Sequence, residues 1–459
     1  MYEVGGALHP LARLGLDQSS RVLVVGLGKT GVSVARFLDR HGIRLAVADS
    51  RENPPGLNEL HELLPDVAVF LGRFDPAAFA AATHLVVSPG ISLDTPAVQM
   101  AARSGVPVFG DVDLFACMAT APVVAITGAN GKSTVTTLVG LMAEAAGRRV
   151  KVGGNLGVPM LDLLDDEAEL YVLEISSFQT ERASLLEPTV ATVLNISPDH
   201  MDRYADLHAY AEAKRRVFKG NGVMVLNADD PVVAAMAERD RTCRWFGLDE
   251  ERGQALDFTV REIEGAEWLV CRGKPLMPAA EVLIKGRHNL ANALAALALG
   301  DAVGLPKDAM AEALRRFPGL EHRMESVEQV GGVAWINDSK ATNVGACIAA
   351  LEGLNTQVVL IAGGDGKGAD FSPLAEVAAK KVRAAVLMGR DAPLLDAILS
   401  AVVKTVRVEN MKQAVAAARE LARPGDAVLL APACASLDQY KDYQERGRVF
   451  AEAVRELAR

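Results

Sequence analysis

From Arg21 onward, short β-branched apolar runs alternate with longer amphipathic stretches: RVLVV, then VSVARFLDR, then RLAVAD, and later HLVVS, PVVAIT, YVLEIS and ATVLNIS. Unbroken apolar runs of this length suit strands buried on both faces, and apolar residues at helical spacing suit the crossovers between them. The pattern predicts α/β architecture with parallel sheets. It restarts at two strand-glycine-helix openings, Val25-Gly26 and Ile126-Thr127-Gly128, and a third set of strands follows Arg323: AWIND, QVVLIAGG, AAVLMG, TVRVE and AVLLAP. Three domains are expected: a Rossmann-like unit over 1–109, a P-loop ATPase-like unit over 110–319 and a Rossmann-like unit over 320–459. The breaks are set where Gly and Pro interrupt the periodicity, in GVPVFGD and FPGLEHRME.

Length supports the division, because 459 residues exceed what one hydrophobic core organises. Half the residues are hydrophobic and 23% are charged, so ordering entropy can be offset by burial. A net charge of -10 supplies no global field for nucleic acid; any phosphate must be held by local groups. Five scattered cysteines without metal-type spacing imply a reducing compartment. The first twenty residues have no signal-peptide pattern, and runs such as LANALAALAL are too short to span a bilayer. A cytoplasmic monomer is expected.

Two glycine loops carry candidate chemistry. Gly26-Leu27-Gly28-Lys29-Thr30-Gly31 lies between a strand and a helix, and Asp49 ends the next strand, where it could accept from a ribose hydroxyl. The same loop could merely let helix pack on strand, and the pattern leaves the nucleotide open. Gly128-Ala129-Asn130-Gly131-Lys132-Ser133-Thr134 follows a second apolar strand. Its N–H groups can surround a triphosphate, Lys132 can neutralise the terminal phosphates and the Ser133 hydroxyl can bind magnesium. Ile126 occupies the place of the leading glycine of the full Walker pattern. An NAD-dependent oxidoreductase would leave the second loop idle, and a simple NTPase would leave the first idle.

Nine motifs in order span essentially the whole chain: ITGANGKST, GGNLG, LEISSFQ, NISPDHMDRY, GRHNLANALAAL, EHRME, WINDSKATN, GGDGKGADF and APACASLDQY. Together they closely resemble the Mur ligases, and DSKATN with SSFQ looks like the member that joins D-glutamate to UDP-N-acetylmuramoyl-L-alanine. The resemblance implies that Gly28, Lys29, Thr30, Asp49, Ser50, Arg51, Ser88 and Gly90 surround a UDP-sugar. Asn155 and His200 would lie beside the reacting groups, and Glu174, His200 and Ser133 would hold two magnesium ions. Asn289, Asn292, Arg323 and Asp338 would contact ATP; Lys340, Thr342, Lys367, Ser436 and Tyr443 would meet the reacting phosphate or the D-glutamate carboxylates. Tyr443 replaces the Phe often found there. Lys214 falls where the family has a lysine converted by carbon dioxide to a carbamate that serves as a further metal ligand.

The expected reaction follows. A carboxylate is a poor electrophile, so the L-alanine carboxylate would attack the ATP γ-phosphate, and the D-glutamate amine would attack the resulting acyl phosphate. Lys132 and the magnesium ions would offset repulsion between the anions. Closure of the C-terminal domain would complete the site. The rival readings are another Mur-type or folate-type amino-acid ligase, an NAD-dependent oxidoreductase, and a non-catalytic nucleotide-binding module.

Overall fold

In the computed structural model, which describes residues 3–4, 7–249, 255–284 and 286–457, three large sheets succeed one another along the chain. The first has five parallel strands in the spatial order Ala68–Leu71, Arg44–Asp49, Arg21–Val25, His84–Val87 and Val108–Phe109. Strand order reverses beside Arg21–Val25, so the loops after Val25 and Val87 part and leave a crevice at the carboxyl ends of the strands. Helix Lys29–Arg40 starts in that crevice and buries Val32, Val34, Phe37 and Leu38. Gly31 is required for its packing: a Cβ there would sit 2.1 Å from the Gly26 carbonyl oxygen.

The second sheet has nine strands. Val150–Gly154, Leu170–Glu174, Val123–Thr127, Val190–Val193, Val223–Asn227, Cys243–Phe246 and Phe258–Ile263 run parallel. Ala266–Cys271 and Lys274–Pro278 then add an antiparallel extension that the periodicity did not predict. Its turns, Glu264-Gly265 and Arg272-Gly273, place both central residues at positive φ, between 50° and 79°, as tight hairpins require. Helix Lys132–Ala145 packs against helices Arg287–Ala302 and Lys307–Arg316. The run LANALAALAL lies within Arg287–Ala302, and Ala293–Gly300 is buried throughout, so its apolar length serves a core. Each fully buried Val, Leu or Ile of this core, such as Val124, Ile126 and Leu138, contributes roughly 1.5–3 kcal/mol.

The third sheet orders Glu325–Val330, Val333–Asn337, Ala427–Leu430, Val358–Ala362, Val382–Leu387 and Lys404–Arg407. Only the first is antiparallel, and it too was unpredicted: ESVEQV alternates with charge and has one shielded face. The three-domain α/β architecture, with Rossmann-like ends and a P-loop centre, is the one expected from the sequence. No helix among the described residues is long and apolar enough to cross a membrane.

Candidate active site

Three adjoining cavities meet between the sheets, and Lys340 lines all of them. The first domain contributes Gly28, Lys29, Thr30, Ser50, Arg51, Ser88 and Gly90 to an open cleft of about 740 Å³, whose far wall carries Asn155, Glu174 and Gln179. The Ser88 hydroxyl donates to the Gly26 carbonyl at 2.8 Å, tying the two loops of the crevice together. Asp49 belongs to this group in sequence but does not face the cleft. It is fully buried, and its oxygens accept from Leu27 N at 2.7 Å, Arg51 N at 2.9 Å and the Arg51 guanidinium at 2.7 and 2.8 Å. Its carboxylate holds the glycine loop and aims Arg51, so it has no lone pair to spare for a ribose.

The second loop is built at the end of Val123–Thr127. Asn195 pins it: the Asn195 carbonyl accepts from Ala129 N at 2.9 Å, and its side chain accepts from Asn130 N at 2.8 Å and donates to Asn130 O at 3.1 Å. Gly131, at φ 83°, caps helix Lys132–Ala145, and a Cβ there would strike Asn292 Oδ1 at 2.3 Å. The helix start presents the N–H groups that helical geometry leaves unpaired, an anion site by construction. Lys132 Nζ donates to Gly128 O at 2.9 Å and Ala129 O at 2.8 Å. Beyond the loop, Asn130, Gly131, Thr134, Asn289, Asn292, Arg323 and Asp338 line a second cavity. Burial pushes the Asp338 carboxyl up to about 6 against the pull of Arg323.

The third cavity joins Lys132, Ser133, Asn155, Glu174, His200, Lys214, Thr342, Lys367 and Tyr443. Glu174 ends its strand at 3% exposure. Its Oε1 accepts from Asn155 Nδ2 at 2.6 Å, while Oε2 is buried with no hydrogen-bond partner among the described residues. Burial works to raise its pKa, yet Lys132 and the Asn155 hydrogen bond leave it below the ordinary value, so an ionised oxygen is aimed into the cavity. That orphaned, anionic oxygen suits a hard cation. Among the described residues no three His, Cys, Asp or Glu side chains form a ready metal cage; magnesium handled together with phosphates needs only one or two carboxylates. The donor set therefore fits magnesium and a triphosphate.

His200 adopts φ 58°, with its ring edge-on to Phe178 at 4.8 Å. Burial drives its pKa down to about 4, with Asp199 opposing and Lys367, Lys132 and Lys214 adding to the fall, so the imidazole is neutral. Lys214 Nζ, within a residue 1% exposed, lies 2.9 Å from Gly128 O and 4.6 Å from the Tyr210 ring centroid.

The C-terminal domain reaches into the site at several points. Arg323 Nη2 donates to Ser133 Oγ at 2.9 Å, Asn343 Nδ2 donates to Asn130 Oδ1 and Asp199 Oδ2 at 3.2 Å each, and Lys367 pairs with Asp199. Lys340 Nζ sits 3.8 Å from the Tyr443 ring centroid, and burial lowers its pKa to about 8. Ser436 is buried and lines none of the three cavities; its carbonyl accepts from Gln439 N and Tyr440 N, closing a turn. Asp199, Asn195 and Asn343 were not singled out in sequence. They lie within the motifs that carry the resemblance, but an Asp beside a His, or an Asn in a turn, has no spacing signature of its own.

Taken together, a P-loop domain between two Rossmann-like domains, with lysines and carboxylates converging on one cavity, fits the class of nucleotide-using enzymes. The comparisons agree. The Mur ligase MurD-like N-terminal domain matches residues 20–110, the Mur ligase middle domain 126–300 and the Mur ligase glutamate ligase domain 322–434. The chain belongs to the Mur ligase family. Within it, the chain is 67% identical over 446 residues to the UDP-N-acetylmuramoylalanine--D-glutamate ligase of Methylococcus capsulatus, covering 97% of each chain. It is 53% identical over 439 residues to the ligase of that name from Nitrosococcus oceani, covering 95% of this chain and 96% of that one. Among solved structures, the fold is similar to a pseudomurein peptide ligase type C from Methanothermus fervidus, with TM-score 0.62, 18% identity, and 95% and 100% of the two chains covered. The UDP-N-acetylmuramate-alanine ligase of Thermotoga maritima gives TM-score 0.61 at 19% identity over 95% and 99%.

Proposed function

We propose that this chain joins D-glutamate to UDP-N-acetylmuramoyl-L-alanine with consumption of ATP, a step in peptidoglycan precursor synthesis in the cytoplasm. The observation that carries the reading is the convergence on Lys340 of a cleft floored by the first glycine loop, a cavity beside the P-loop, and a cavity holding Glu174, His200 and Lys367. Three ligands can thereby meet at one point. High identity to ligases of that name over nearly the whole chain supports the choice of substrates.

The L-alanyl carboxylate needs activation by phosphate before an amine can displace oxygen from it. Lys132 and Arg323 supply positive charge where carboxylate and triphosphate must approach, the main electrostatic obstacle to that step. Magnesium, when bound, would neutralise phosphate charge, and Ser133, Glu174, His200 and Lys214 are the residues proposed to hold two ions. Lys367 and Thr342 would receive the D-glutamate carboxylates. Lys367 is held by Asp199, so the amino acid would exchange one anionic partner for another.

A protonated Lys214 would repel a metal. Burial, then the charge of Lys132, holds its amine well below the usual lysine pKa. Only a neutral amine adds carbon dioxide; the nitrogen lone pair forms the N–C bond, a proton leaves, and a cation becomes an anionic oxygen ligand. We propose that Lys214 is carbamylated in the working enzyme.

The test is ADP release with UDP-N-acetylmuramoyl-L-alanine and either enantiomer of glutamate. Turnover with D-glutamate and not with L-glutamate is expected, because two fixed carboxylate sites direct the amine to one side of the chiral carbon. Equal rates, or no ADP release, would overturn the reading.

A further inference from the structure

A buried cation stands behind the substrate cleft, where the first and second domains join. Arg182 follows the short helix Ser177–Thr180 and is only 4% exposed. Its Nη1 donates to the Phe178 carbonyl and its Nη2 to the Ile91 carbonyl, while Nε has no partner among the described residues. Ile91 lines the cleft, and Phe178 lines the adjoining cavity that holds Glu174 and His200. Ile91 closes the Ser88-Pro89-Gly90 loop, its N–H donating to Ser88 O at 3.0 Å, and it lies so near the first glycine loop that a Cβ on Gly26 would come 2.9 Å from its side chain. Phe178 belongs to the turn after Glu174; its ring contacts His200, and the next residue, Gln179, lines the cleft.

A second strut crosses the same junction. Gln179 Nε2 donates to Oδ2 of Asp111, which starts the helix leaving the first domain. Between the struts, Gly110 lies so close that a Cβ there would meet Arg182 Cβ at 3.0 Å. Burying a guanidinium against carbonyls is costly compared with burying an apolar chain of the same length. What the planar fork adds is a fixed distance and angle between the two acceptors.

We propose that Arg182 is a positioning residue that sets the spacing between the Ser88–Ile91 loop and the Ser177–Thr180 turn, and thereby the affinity for the UDP-bearing substrate. The inference rests on reading this cleft as the UDP-sugar site. Of the three substrates, only that one must touch both walls at once, with its nucleotide on the first domain and its reacting carboxylate near Glu174. The cavities read as the ATP and amino-acid sites do not include the Ser88–Ile91 loop.

The experiment compares Arg182→Met and Arg182→Lys with the parent chain, by KM for each substrate, kcat, and calorimetric titration with UDP alone. The expected result is a KM for the UDP-substrate raised about tenfold or more in both variants, since misplacement by a fraction of a bond length is felt at that level. KM for ATP and for D-glutamate should stay within about twofold of the parent values, marking loss of binding in one substrate only. UDP alone, which touches one wall, should bind as to the parent. In Arg182→Ala, added guanidinium ion should partly restore the UDP-substrate KM. An unshifted UDP-substrate KM in Arg182→Met, or a rise in all three KM values together, overturns the inference. A parent chain that does not turn over the UDP-substrate instead overturns the functional reading, and this inference with it.

Discussion

Lys132 and Lys214 donate to the same oxygen: each Nζ lies 2.9 Å from the carbonyl of Gly128. Two ammonium groups cannot share one acceptor cheaply in a dry interior, and their surroundings decide which yields. Lys132 has a second carbonyl, Ala129 O, at 2.8 Å. Beyond that shared carbonyl, Lys214 has among the described residues Thr127 Oγ1 at 3.5 Å and the Tyr210 ring. Lys214 is therefore the one that gives up its proton more readily, which is what reaction with carbon dioxide requires. Lys214→Ala should lower turnover by on the order of 10- to 100-fold, and formate or acetate should restore part of it by placing an anionic oxygen in the space. Parent activity should also fall in buffer stripped of carbon dioxide and return with bicarbonate. Full activity of the alanine variant without additive refutes the role.

The other lysine of the pair is expected to act in turnover and not in capture of the sugar nucleotide. Lys132 lines the cavity holding Glu174 and is absent from the wall of the UDP cleft. Lys132→Ala should cost at least about 100-fold in kcat, as loss of a charge-stabilising group does, while calorimetry shows UDP-substrate affinity nearly unchanged. Affinity lost in parallel with rate would count against the assignment.

Much of this arrangement was legible in the sequence, for a physical reason. Strand-glycine-helix openings are local, so Gly26–Gly31 and Gly128–Thr134 disclose both their conformation and their taste for phosphate. The hairpins of Phe258–Pro278 were not legible, because short strands with charged outer faces resemble loops until a neighbouring sheet edge accepts them. Asp199 and Lys367 are 168 residues apart, and Asn130 and Asn343 213 apart; only the domain arrangement brings them together. Asp49 shows a different limit. The sequence places it at the end of a strand, but the direction of its carboxylate depends on Arg51 and Leu27 N, which compete for the same oxygens.

Asp111 makes the junction between the first two domains sensitive to pH. Burial raises its carboxyl from 3.8 to about 6, with Gln179 and Arg182 opposing, and its Oδ1 has no partner among the described residues. Between those two values the folded chain holds a proton that the unfolded chain has released, so stability falls as pH rises through the window and the full cost stands above about 6. Asp111→Asn cannot ionise and keeps an oxygen for Gln179. Relative to the parent, the variant should gain stability on the order of 2 kcal/mol between pH 4 and pH 8. Urea midpoints at the two pH values check this. A stability difference that does not change with pH would show that Asp111 is ionised or exposed in both states.

Lys340 should impose an alkaline limit on activity, and Tyr443 should set where that limit falls. Burial, with help from Arg323, brings the Lys340 ammonium down to about 8. A lysine loses its charge as pH rises through its pKa, so kcat/KM for ATP, which reports the free enzyme, should decline above about pH 8. The Tyr443 ring opposes the fall, because its face lies 3.8 Å from Nζ and stabilises only the charged form. Removing the ring in Tyr443→Leu leaves the ammonium less favoured, so the alkaline limb should move to lower pH by roughly half to one unit, the equivalent of a cation–π contact of about 1 kcal/mol. Tyr443→Phe keeps the ring and should leave the limb in place. The comparison separates two uses of the residue: a limb moved equally by Phe and Leu would assign the effect to the phenolic hydroxyl, and a limb moved by neither would mean that Lys340 does not carry the alkaline titration.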